Sequence, residues 1–123
     1  MTPLYQFLAL LTVHWVADFI LQTDWQAKNK SKRNDALGRH VGVYTLALAL
    51  AAPLIFGWNS PAAIYFVLVN GALHFATDWC TSRVSSRLYA KGDVHNFFIV
   101  VGLDQLIHQF TLAATMVAFL YPR

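Results

Sequence analysis

The chain has 123 residues, enough for one domain; 57% of them are hydrophobic and only 12% charged, about half the charged share of an ordinary soluble domain. A water-soluble bundle this short cannot hide so much apolar surface, and a mean hydropathy of +0.45 points to the membrane class. The formal charge is +3, but eight of the nine basic residues fall in two short stretches, which excludes the continuous basic face of a nucleic-acid binder.

In chain order, the composition predicts four membrane-spanning helices and an all-α fold. The first span covers residues 3–22, and with no charged n-region or small-residue cleavage site before it, it is not read as a removed signal peptide. The second covers 41–56, with Pro53 kinking it near its end. A tight turn at Gly57–Pro61 leads to the third span, 61–80, and the fourth runs over 96–121. Each approximates the ~20 residues that cross about 30 Å of hydrocarbon. The segments 23–39 and 81–95 hold the eight basic residues. The excess of Lys and Arg places both in the cytoplasm and both termini outside. Trp25 and Trp79 then mark the inner interface, and Tyr5, Trp58 and Tyr121 the outer one. The basic loops suit anionic lipid headgroups. Whether 23–39 is a surface helix or a loop is not legible. Four short helices make a thin core, so a homo-oligomer is expected, though no predicted span carries a Gly-x-x-x-Gly face. The single cysteine, Cys80, excludes an internal disulfide and reads as a small buried apolar group.

The chemistry concentrates in a repeated pair. His14-x-x-x-Asp18 recurs as His74-x-x-x-Asp78, and the fourth span, which runs the other way, carries the reversed order Asp104-x-x-x-His108. Positions four apart share one helix face. Reversing both helix direction and motif order puts each aspartate nearer the cytoplasm and each histidine about 6 Å deeper. His40 lies at the mouth of the second span. Ionisable groups inside a span are rare and usually functional.

Imidazole and carboxylate are ligands for Zn, Mn or Fe, and helical bundles build such sites from inward-facing side chains. The expected ligands are His14, Asp18, His74, Asp78, Asp104 and His108, around one divalent metal or two sharing a site. His40 and Asp24 are candidate general bases. Gln22, Gln105, Lys28 and Arg83 are candidate substrate contacts, with Lys30 and Arg87 able to draw a phosphate-bearing substrate to the site. The reading is metal-assisted hydrolysis of a lipid or an anionic small molecule. Two other readings stay open: transport of a metal ion or proton, and a non-catalytic regulatory role. A purely structural network of His–Asp pairs would fix packing without any of these. Asp93 is expected to cap the fourth helix, His95 to have a smaller chance of a site role, and Asn70 and Thr77 to bond between helices.

The set His14-x3-Asp18-Phe19-x2-Gln22-Thr-Asp24-Trp25 with Lys28 and Lys30, then His40, His74-x3-Asp78-Trp79 and Asp104-Gln105-x2-His108 resembles a family of small four-helix bacterial and phage membrane proteins of unknown function. That resemblance spans nearly the whole chain. It implies a multi-pass protein of the bacterial inner membrane and adds no chemistry. The His/Asp pattern and span count are more loosely similar to membrane-bound metal-dependent hydrolases of bacterial inner membranes. This chain has no Glu and no His-Arg opening motif.

Overall fold

The computed structural model describes residues 1–57 and 61–122. The turn expected around residues 58–60, with Trp58, lies outside the described residues.

The described residues form an all-α bundle. Helix α1 (Pro3–Trp15) starts from Thr2, whose hydroxyl accepts from the Tyr5 amide, and runs on into a π-helical turn, Val16–Ile20. A short helix α2 (Asp24–Asn29) follows, opened by a reciprocal cap. The Thr23 hydroxyl accepts from the Gln26 amide while the Gln26 side-chain oxygen accepts from the Thr23 amide, which satisfies two donors that a helix start otherwise leaves unpaired. The segment 23–39 that sequence left undecided therefore holds the short helix α2 and, from Asn34, the start of the next helix.

Helix α3 (Asn34–Phe56) begins seven residues before the expected span. Pro53 sits in its last turn, where the helix soon ends at Gly57. The earlier start corrects one expectation: Gly38 and Gly42 belong to one helix and form a Gly-x-x-x-Gly pair, lining an apolar groove between α3 and α4.

Helix α4 (Pro61–Ala90) is 30 residues long, about 45 Å at the usual rise, so most of the predicted loop 81–95 is helix. It stops at Gly92, whose φ of 75° is the left-handed conformation that glycine adopts freely at helix ends. Helix α5 (Val94–Thr115) is capped by Asp93, as expected, which accepts from the Asn96 amide at 3.2 Å; it ends in a second π-helical turn, Met116–Leu120.

Among the described residues, three helical segments are long and apolar enough to cross a membrane: Pro3–Ile20, Asn34–Phe56 and Val94–Leu120. The expected third span is long enough but not apolar enough. The reason is its position in the bundle. Helix α4 packs on both α3 and α5 and turns Asn70, His74, Asp78 and Ser82 into the interior, so its polar residues are buried against protein and count against it by composition.

Burial inverts the pattern of a water-soluble protein. The interior holds Gln6, His14, Asp18, His40, Asn70, His74, Asp78, His108 and Thr115, while Leu8, Trp15, Leu46, Leu50, Leu54, Ile64, Leu68, Phe98, Ile99 and Phe110 are exposed. Cys80, expected inside, is exposed. The apolar core is one layer of Leu10, Leu48, Phe66, Leu112 and their neighbours. Asn70 donates to Thr115 across α4 and α5 at 2.8 Å; the Thr77 side chain makes no such bridge among the described residues. Helices α3 and α4 approach closely at Gly71, where a Cβ would lie 2.6 Å from Thr45 Oγ1 and 3.2 Å from its Cγ2.

Candidate metal centre

The four long helices each bring at least one imidazole to one layer. His14 comes from α1, Asp18 from the π turn that continues it, His40 from α3, His74 and Asp78 from α4, and Asp104 and His108 from α5. All seven meet there. The wide turn at Asp18 is a recurrent device at functional sites. It leaves His14 Nε2 3.6 Å from Asp18 Oδ2, so both members of the pair still reach the layer.

Four of these groups converge most tightly. His40 Nε2 is 3.0 Å from Asp18 Oδ1, 3.2 Å from His74 Nε2 and 3.3 Å from Asp78 Oδ2. His74 Nε2 is 3.4 Å from Asp18 Oδ1 and 3.6 Å from Asp78 Oδ2. One ligand atom from each of the four lies within 4.8 Å of the others, and all four residues are buried. Ligand atoms separated by 3.0–3.6 Å, as these five pairs are, suit bonds of about 2.0 Å to a common centre, the length of a Zn–N or Zn–O bond. Two neutral bases and two acids around one point are also a donor set that divalent transition metals favour. The residues therefore fit a metal ion.

His40 corrects the sequence reading in place. It is fully buried inside the cluster, and not at a mouth. Its Nδ1, like that of His74, is buried without a hydrogen-bond partner, so each ring spends its placement on the Nε2 side.

Behind these four ligands stands a chain of hydrogen bonds with one consistent direction. The Tyr44 hydroxyl donates to His14 Nδ1 at 3.1 Å, and His14 Nε2 donates to Gln105 Oε1 at 2.9 Å. The Gln105 amide nitrogen donates to Asp18 Oδ2 and to Asp104 Oδ2, each at 3.0 Å. His14 thus holds Asp18 through Gln105, the kind of outer contact that orients a metal ligand. His74 is sandwiched between Tyr44, at 3.9 Å, and His108, at 4.1 Å between ring centres.

One cation already enters the layer. Lys30, from the end of α2, places its ammonium 2.9 Å from Asp78 Oδ2. Sequence reading named Lys30 only as a recruiter of substrate. Tyr44 and Thr81 were missed, although Tyr44 lies four residues after His40, on the same helix face, and Thr81 three after Asp78.

A cavity of about 440 Å³ opens beside the cluster, lined by Asp18, Asp104 and Gln105 on one side and by Lys28, Lys30 and Lys32 on another. Ser82 and Gln22 also line it; each holds a buried side-chain oxygen without a partner. Phe19, Tyr89, Phe97, Val100 and Val101 supply an apolar wall.

Four residues considered for the site lie elsewhere. Asp24 is exposed in the first turn of α2, where a carboxylate is favoured by the helix dipole. Arg83 donates to the Trp79 carbonyl and to Asn34 Oδ1 and stacks over the Trp79 ring at 4.2 Å. Its neighbour in the prediction, Arg87, does not line the cavity. His95 is exposed outside the cluster. Arg33 and Arg39 lie over Trp25 at 5.6 and 5.2 Å, so Trp25 and Trp79 both carry guanidinium partners.

No curated protein and no solved structure matches the chain, and no similarity to a hydrolase is found. A match to one family extends over residues 6–122, from the first turn of α1 past the end of α5, taking in every residue of the cluster. The chain belongs to the family described as "Protein of unknown function (DUF3307)".

Proposed function

We propose that this chain is a four-helix integral membrane protein, termini outside, that holds a divalent metal at Asp18, His40, His74 and Asp78 and hydrolyses an anionic lipid or small molecule reaching it from the cytoplasmic leaflet. The observation that carries this reading is the convergence of four buried ligand atoms from two histidines and two aspartates. Apolar residues on the outside of all four long helices, α4 included, support burial in lipid, since an exposed apolar surface of this extent is not stable in water. Helix α4 crosses with its polar side turned inward, where charged groups in a membrane are tolerated.

A bound metal would lower the pKa of water and polarise a phosphoryl or carbonyl group. The chain's own residues do the rest. Lys28 and Lys32 at the cavity rim and Lys30 further in attract an anionic headgroup. Ser82 offers it a hydroxyl, and the apolar wall of Phe97, Val100 and Val101 receives an acyl chain. Gln105 holds the Asp18 and Asp104 carboxylates in place. Transport through the bundle is the weaker reading. Beyond the cluster the bundle is closed by Leu10, Leu48, Phe66 and Leu112, each at most 1% exposed, with Asn70 and Thr115 bonded to each other among them.

The test is elemental analysis of detergent-purified protein beside His74→Ala, followed by phosphate or fatty-acid release from a panel of anionic phospholipids. Stoichiometric metal, absent from the variant, with turnover that Asp18→Asn abolishes, is expected. Metal-free wild-type protein would remove the reading; metal without turnover on any substrate would reduce it to a binding protein.

A further inference from the structure

The four-ligand set leaves half of its carboxylate oxygens facing the other way. Asp18 gives Oδ1 to His40 and His74, while its Oδ2 lies on the side of His14 and Gln105. Asp78 does the same: Oδ2 faces His40 and His74, and Oδ1 is 3.0 Å from His108 Nε2. His108 Nε2 is in turn 3.4 Å from Asp104 Oδ2. One ligand atom each from Asp18, Asp104 and His108 lies within 4.8 Å of the others.

From this divided arrangement we infer a second metal position, sharing Asp18 with the first and completed by Asp104 and His108, with Asp78 Oδ1 lying against His108. The inference rests on the metal reading above and deepens it: the centre is a carboxylate-bridged pair. A carboxylate that points one oxygen at each of two nests is the natural bridge between ions about 3.5–4 Å apart. Helical bundles elsewhere assemble such pairs from carboxylates and histidines on facing helices.

Charge points the same way. Asp18, Asp78 and Asp104 bring three carboxylates into one layer, and Lys30 is the cation paired with one of them. Buried carboxylates require partners. The Gln105 amide nitrogen sits 3.0 Å from both Asp18 Oδ2 and Asp104 Oδ2, the place where a positive partner is best held. Turning that amide over, a choice that the hydrogen-bond network decides, would present Oε1 to the same point and its NH2 to His14. Gln105 would then serve as a neutral oxygen ligand and His14 as its acceptor. Thr81 Oγ1 donates to the other oxygen of Asp104 at 2.5 Å and fixes that carboxylate.

A pair changes what the centre offers to a substrate. Two ions can hold the attacking and the leaving oxygen of one displacement at the same time, and the cavity reaches the layer on the Asp104 and Gln105 side, where the second position lies.

The test loads the detergent-purified full chain with Mn²⁺ and reads stoichiometry by elemental analysis together with electron paramagnetic resonance. Two ions per chain with an exchange-coupled signal are expected, falling to one ion with the six-line signal of an isolated centre in His108→Ala and in Asp104→Asn. The resonance of the wild-type protein tests the pair even where a variant fails to fold. One ion per chain with an isolated signal overturns the second position and leaves the metal centre standing. No bound ion overturns the centre itself. Two ions that persist in both variants also overturn the assignment.

Discussion

The layer of histidines and aspartates and the layer of Leu10, Leu48, Phe66 and Leu112 lie in the same bundle on the same four helices, and they are held together by opposite means. In the apolar layer, side chains of different size interlock with no polar atom to satisfy. In the polar layer nearly every group touches another ionisable group, and position is set by hydrogen bonds of 2.9–3.1 Å such as those of Gln105 and Tyr44. In lipid, burying apolar groups between helices gains little, because the surrounding tails are equally apolar; packing and polar contacts decide association. The apolar layer therefore shapes the bundle, whereas the polar layer carries a cost that function must justify.

That contrast can be broken from either side. The largest effect is expected in the polar layer: Asp18→Asn removes a ligand charge shared by both metal positions and should weaken metal binding at least about a hundredfold, more than loss of an outer contact does. Competition with a graded chelator measures it. Excess metal should correspondingly protect the wild-type protein against unfolding by about 2.7 kcal/mol at a hundred times Kd, a protection that Asp18→Asn loses.

The converse substitution lies in the apolar layer. Leu112→Ala should destabilise the bundle by about 1–3 kcal/mol, the share of a leucine truncation that comes from the cavity and lost packing, with metal stoichiometry unchanged. Loss of metal in folded Leu112→Ala protein would show that the two layers are not separable.

A smaller effect tests the boundary between protein and solvent. Lys30→Gln frees Asp78 Oδ2 from a competing ammonium 2.9 Å away; removing a like charge at such a distance from a cation should tighten metal binding about tenfold. Weaker metal binding would instead make Lys30 a supporting contact.

The smallest concerns Asp93, outside the bundle core. Its hydrogen bonds to the Asn96 side chain and backbone lower its pKa below the usual carboxylate value. A depressed folded-state pKa contributes stability that is present above the unfolded value of about 3.9 and lost as the pH falls through the folded one. Protection factors for the amides in the first turn of α5, measured against the intrinsic exchange rate at each pH, should fall on acidification, and Asp93→Ala should show the lower protection at neutral pH.

Much of the site was legible because its signal is a spacing. A four-residue His–Asp step survives any uncertainty about helix ends, and the reversed copy in α5 fixes the level of the whole set. What escaped depends on contacts between distant segments. Lys30 reaches Asp78 only because α2 folds back over the bundle, and Tyr44 matters only because α1 lies beside α3. Asp24 and Arg83 misled for the reverse reason: they neighbour site residues in sequence but are held by a helix start and by Trp79. Helix ends were misread where polarity was taken for solvent. The serines at 82, 85 and 86 look like loop, yet they line a cavity along α4.

Gly71 has a bearing on which ion fits. It lies three residues before His74, and Thr45, which it abuts, lies five after His40. Because threonine branches at Cβ, turning its side chain leaves either the hydroxyl or the methyl near that position. Any residue larger than hydrogen at 71 would act as a wedge, spreading the two imidazoles from a turn away while leaving every ligand intact. Selectivity by ionic radius would then be written in a backbone-to-side-chain gap: narrow at glycine, where bonds of about 2.0–2.1 Å are accommodated, and wider at alanine, which favours ions with longer bonds.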